Sequence, residues 1–74
     1  MGITLEKIAE TLNITKPNSR VTIVGLVYYY DKNSEGETIK AYLPRTLEHR
    51  YTFTSGEQFM DSHGFEGLED LKLI

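Results

Sequence analysis

A chain of 74 residues with no cysteine has room for one small hydrophobic core and neither a disulfide nor a thiolate metal site to support it. Its 8 Lys+Arg against 11 Asp+Glu leave a formal net charge of −3, the wrong sign for a surface built to neutralise phosphates. No run approaches the roughly 20 apolar residues that cross a bilayer, and Met1-Gly2-Ile3-Thr4-Leu5-Glu6 lacks the basic start and apolar centre of a secretory signal, so a cytoplasmic protein is expected.

Leu5, Ile8, Ala9 and Leu12 recur at i, i+3, i+4 and i+7 with polar residues between them, the stripe of an amphipathic helix. Thr4 fits its N-cap, and Glu6 lies in the first turn, where an acid favours the helix dipole. The helix is expected to end near Asn13, with a turn over Lys16-Pro17-Asn18-Ser19.

The run from Val21 to Tyr30 is apolar or aromatic at nearly every position and predicts one long strand wanting cover on both faces. Gly25 inside it predicts a bulge or a close approach by another element. Asn33-Ser34-Glu35-Gly36 fits a type I turn followed by a left-handed Gly, a three-residue loop setting Asn33 opposite Glu37. Counting back, Tyr30 faces Lys40, Tyr29 faces Ala41, Tyr28 faces Tyr42 and Val27 faces Leu43. That register puts Val21, Ile23, Val27, Tyr29, Ile39, Ala41 and Leu43 on a core face. Thr22, Val24, Leu26, Tyr28, Tyr30, Lys40 and Tyr42 fall on the other.

Pro44 stops the second strand, and Leu47, His49, Tyr51 and Phe53 then alternate with Glu48, Arg50 and Thr52, predicting a third. Thr54 with Glu57, or Ser55 with Gln58, matches a capping box and opens a short helix that stops near Gly64. Residues 65–74 fit either a helical turn or an edge strand. The expectation is therefore one α+β domain over residues 1–74, a three-stranded antiparallel meander with an N-terminal and a short C-terminal helix (αβββα).

No catalytic, cofactor or metal residues are assigned. Asp61-Ser62-His63 contains the residue types of a triad, but sequence neighbours on a helix point in different directions. His49 and His63 sit in no metal-ligand spacing, and the glycines match neither GxGxxG nor GxxxxGK. Charge is uneven: residues 57–74 carry Glu57, Asp61, Glu66, Glu69 and Asp70 against Lys72 alone, a solvated face or a surface for a basic partner.

Ile8-Ala9-Glu10-Thr11-Leu12-Asn13-Ile14-Thr15 resembles the first helix and turn of a helix-turn-helix motif, and the hairpin from Gly25 to Leu43 resembles the wing of winged-helix regulators. The resemblance implies a DNA-binding regulator, with a recognition helix starting at Lys16 and running through Pro17 and the β-branched Val21-Thr22-Ile23-Val24. Double-stranded RNA-binding domains share the αβββα order but need a basic second helix, which is acidic here.

Tyr28, Tyr29, Tyr30, Tyr42 and Tyr51 outnumber the other aromatic residues, and tyrosine is the ring that binding surfaces favour. The expected function is a small non-enzymatic protein-binding or regulatory module. Its contact residues are Tyr28, Tyr30, Lys40 and Tyr42, and the partner is another protein or a second copy, met through the sheet face or an edge strand.

Overall fold

The computed structural model describes residues 2–72. Helix α1 (Leu5–Leu12) is followed by β1 (Val21–Ile23), β2 (Leu26–Asn33), β3 (Gly36–Tyr42), β4 (His49–Phe53), α2 (Gly56–His63) and α3 (Leu68–Leu71). The four strands form one antiparallel meander in the order β1-β2-β3-β4. The α+β class and the opening helix agree with expectation; the strand count does not, and neither does the helix count at the C-terminal end.

Helix α1 starts as its sequence dictates, with the Thr4 hydroxyl accepting from the Lys7 N–H at 3.1 Å. It ends at Asn13, which turns left-handed at φ 63° and lets the Ile14 N–H reach the Ala9 carbonyl. Leu5, Ile8 and Ala9 are buried along its stripe. Residues 14–20 contain no helix, so the recognition helix implied by the helix-turn-helix resemblance is missing; Asn18 at φ 67° and Pro17 sit in a turn that leads directly into β1.

The long predicted strand breaks in two. Val24 and Gly25 both take positive φ, 50° and 79°, the two-residue hairpin loop whose twist matches the flanking strands, and Ile23 pairs with Leu26 across it. Gly25 thus marks a reversal rather than a bulge.

The second hairpin is one residue tighter than predicted. Gly36 joins the ladder opposite Asn33, leaving Ser34 and Glu35 as the loop, and the Asn33 side-chain oxygen accepts from the Glu35 N–H at 2.8 Å. The register becomes Tyr30–Ile39, Tyr29–Lys40, Tyr28–Ala41 and Val27–Tyr42. A slip of one residue turns every side chain of a strand over. Tyr28 and Tyr30 therefore join Ile39 and Ala41 on the helix-covered face, while Val27 and Tyr29 go to the other. Tyrosine tolerates this burial because its hydroxyl can be satisfied. Tyr28 bonds His63 and Tyr30 donates to Glu37, both at 2.8 Å.

A bulge disturbs β4 as well. Ala41 faces Tyr51 but Tyr42 faces His49, so Arg50 is the extra residue. The predicted alternation is cut there: Tyr51 and Phe53 share the face of Ala41 and Ile39, and His49 lies with Tyr42 on the opposite one.

Helix α2 is capped by the Ser55 hydroxyl, which accepts from the Gln58 N–H at 3.1 Å; this is one half of the predicted Ser55–Gln58 box, and the Gln58 side-chain oxygen accepts instead from the Thr54 N–H at 2.9 Å. Its first residue, Gly56, is buried where a Cβ would run into the Ile3 carbonyl. Gly64 ends it at φ 72°. Residues 68–71 resolve the open choice as helix, with the Asp70 carboxylate accepting from the Glu66 N–H at 2.8 Å; Leu73 and Ile74 lie outside the described residues. The core unites Leu5 and Ile8 of α1, Phe59 and Met60 of α2 and Leu71 of α3 with Ile23, Tyr28, Ile39, Ala41 and Phe53 of the sheet. The helices thus occupy one face of the sheet.

Candidate functional site

Two surfaces follow from that one-sided cover. The first is a cleft where the β1–β2 turn, β4 and the end of α2 meet. Its volume is about 430 Å³, and Val24, Leu26, Tyr28, Tyr51, Phe53, Ser62 and His63 line it. Its floor is fixed by His63. The imidazole stacks between Phe59 and Phe65, with ring centroids at 4.3 and 5.2 Å. Nδ1 is 2.9 Å from the Phe59 carbonyl, which can only accept, so Nδ1 carries the proton and Nε2 accepts from the Tyr28 hydroxyl. Burial, and then the Tyr51 phenol, push the Tyr28 phenol above its ordinary value of 10.0, which keeps it a neutral donor.

That geometry disposes of the triad residues as a relay. The lone pair of His63 is engaged with Tyr28; the Ser62 hydroxyl donates to the Phe59 carbonyl at 3.1 Å, and its 3.4 Å approach to His63 is to Nδ1, the nitrogen that already carries the proton. Asp61 is exposed and makes no hydrogen bond to His63 among the described residues. The other histidine, His49, holds the Thr52 hydroxyl at 2.7 Å on the opposite side of the sheet. Among the described residues no three His, Asp or Glu side chains converge on a metal-sized point.

The second surface is the uncovered face of the sheet. The register assigns it Thr22 from β1, Val27, Tyr29 and Asp31 from β2, Thr38, Lys40 and Tyr42 from β3, and His49 and Thr52 from β4. Tyr29 and Tyr42 meet edge to face at 5.6 Å, and Tyr42 and His49 lie 5.5 Å apart. Leu47, left-handed at φ 57° in the β3–β4 connection, closes one side of a shallow recess of about 270 Å³ that Tyr29 and Tyr42 complete. It is 58% exposed, one of three large apolar side chains so presented among the described residues, with Val24 and Tyr51 at the cleft. Tyr29 and Tyr42 are half-buried, and their hydroxyls make no hydrogen bond among the described residues.

The four residues expected to share a contact surface are therefore divided. Lys40 and Tyr42 lie on the uncovered face; Tyr28, 2% exposed, and Tyr30, half-buried, lie on the helix side. Burial pushes the Tyr30 phenol far above its ordinary value of 10.0, with the Glu37 carboxylate that accepts from it adding to the shift, and Glu6 and Glu10 contributing less. Tyr29 takes the place of its two neighbours, and Leu47 and His49 complete the patch. The strand alternation alone contains Tyr29; only the length of the Ser34–Glu35 loop says which way it faces. Among the described residues no helix is long and apolar enough to cross a membrane. Compared with known proteins, the chain matches no family model, no curated protein and no solved structure.

Proposed function

We propose that the chain is a small non-enzymatic interaction module, acting in the cytoplasm, whose contact surface is the uncovered face of the sheet centred on Tyr29 and Tyr42. One observation carries this reading: among the described residues every helix lies on the Tyr28 side, and the opposite side gathers Tyr29, Tyr42, Leu47 and His49 into one patch beside Lys40, over a buried Val27. Half-exposed tyrosines with an apolar body and a free hydroxyl are suited to a partner's mixed surface, where large aromatic anchors supply most of the binding energy. The acid excess of the chain speaks against a nucleic-acid duplex as the thing bound.

The test is a paired substitution. Tyr29→Ser with Tyr42→Ser should leave the far-UV circular dichroism and the thermal melt nearly unchanged while removing the proteins that the tagged wild type captures by in-cell cross-linking. Retention of the same captured set by a folded double variant would place the contact elsewhere.

A further inference from the structure

We infer that the occupant of the uncovered face is a second copy of this chain, related by a two-fold axis that lies in the interface and runs along the β2–β3 ladder. The inference rests on the interaction reading above and names its partner. An isologous contact must be self-complementary, residue i meeting j while j meets i. An axis along the ladder exchanges β2 and β3 between copies, so each outward residue lies over its own register neighbour in the other molecule. The register then dictates the pairs: Tyr29 over Lys40 and Asp31 over Thr38, with Tyr42 over the position of Val27, whose side chain is already buried in its own copy at 6% exposure.

The first two pairs are chemically favourable. The Lys40 ammonium meets the face of Tyr29, and the Asp31 carboxylate meets the Thr38 hydroxyl. Neither Lys40 nor Asp31 has a salt-bridge partner among the described residues, whereas Lys32, which points to the helix side, reaches Glu6 at 3.9 Å. Outward from the axis, His49 of β4 lies over Thr22 of β1; no like charges lie directly over one another, and Lys40 and Asp31 are each offset from their own copies by one strand spacing of about 4.8 Å. An axis running across the strands does worse: set at the Tyr29–Lys40 level it puts Lys40 on Lys40, and set between that level and Val27–Tyr42 it leaves Asp31 and Thr38 beyond the other copy's patch.

Size agrees with a weak, closed pair. Four strands about 4.8 Å apart, over six or so residues of about 3.3 Å rise, offer on the order of 400 Å² of sheet plane per copy, roughly 800 Å² in all, the size of a weak, transient contact and short of a stable specific interface. Two such sheets stack about 10 Å apart in the aligned manner of a β-sandwich. For a cysteine-free chain of 74 residues, that contact also supplies the second cover its small core lacks.

The experiment is sedimentation velocity on the full chain and on two charge variants. The wild type should move from 8.5 kDa toward twice that mass as concentration rises from about 10 μM to about 1 mM, the weak-interface range. Tyr29→Lys sets a second ammonium against Lys40, and Tyr29→Glu with Lys40→Glu sets acid against acid, so each alone should lose at least about tenfold in self-affinity, the factor that 1.4 kcal/mol represents. Mixed in equal amounts, the two should pair. A wild type that stays at 8.5 kDa throughout, or a mixture that stays monomeric, overturns the inference. Because positions 29 and 40 are also neighbours within one sheet, a second measurement avoids their substitution. The chain lacks cysteine, so Thr22→Cys on β1 and His49→Cys on β4, which lie over one another but three strand spacings from their own copies, each carry one thiol. A short bis-maleimide should link the two variants to each other several times faster than either to itself, and equal rates overturn the two-fold. A monomeric wild type whose Tyr29→Ser/Tyr42→Ser form still loses its captured proteins removes the second copy as occupant and leaves the interaction reading standing.

Discussion

Val24 sits at φ 50° with 86% of its surface exposed, which makes it the place where this fold bears local strain without return in packing. A β-branched side chain in the left-handed region costs of order 1–3 kcal/mol, whereas asparagine adopts that region readily and Asn-Gly is the favoured pair for this hairpin loop. Replacing Val24 by Asn gives up little burial: with 86% of the residue already in water, about 0.3 of the roughly 2 kcal/mol that full burial of a valine supplies is at stake. The net expectation is a gain of about 1–2 kcal/mol. At about 4–8 °C per kcal/mol for a domain of this size, the thermal midpoint should rise by about 5–15 °C, read by circular dichroism with a urea melt beside it. Val24→Gly relieves the same strain but enlarges the unfolded ensemble, so it should gain less than the asparagine variant. A Val24→Asn protein that melts at or below the wild-type temperature would refute the reasoning, since Val24 would then be held by contacts across the cleft worth more than its strain.

Four further outcomes follow from the same packing. Gly56→Ala forces a Cβ onto the Ile3 carbonyl, a backbone atom that cannot swing away, and should cost at least about 2–3 kcal/mol in a urea melt even though alanine is the better helix former. Tyr28→Ser should cost about 3–5 kcal/mol by emptying the space between Phe53, Phe59 and His63, while Tyr29→Ser changes stability by less than about 1 kcal/mol. Tyr28→Phe keeps the ring but strands the His63 Nε2 lone pair, for a loss of about 1–3 kcal/mol. Because Tyr28 and Tyr30 hold their phenol protons above the ordinary 10.0, the folded state retains protons that the unfolded chain releases; stability should be unaffected by these two groups below pH 10, then fall as pH rises beyond it. Near-UV phenolate absorbance should show Tyr28 and Tyr30 ionising only with alkaline unfolding.

What the amino-acid order made legible was whatever rests on local periodicity or a capping side chain. The α1 stripe, Thr4, the Ser55–Gln58 cap and Gly64 lie where their chemistry put them. The failures have three separate local origins. Residues 21–30 were apolar or aromatic at nearly every position, so nothing in their pattern said which side faces inward, and the reading depended on a loop one residue shorter than assumed. The hairpin at Val24-Gly25 was hidden because valine is among the residues least suited to a positive φ. The bulge at Arg50 left no mark in a clean alternation. For the candidate surface, the same slip exchanged Tyr28 and Tyr30 for Tyr29 and left Lys40 and Tyr42 in place.

The two edges of the sheet are unlike its face. At one end β1 offers three residues, and at the other β4 offers five interrupted by a bulge, so neither presents a long, straight row of open backbone groups. Growth by adding strand to strand, which has no natural stopping point, is discouraged at both margins. Association across the face ends when two faces are joined. A chain built this way can carry tyrosines on an uncovered sheet at high concentration and still give a finite, reversible species in place of a fibre.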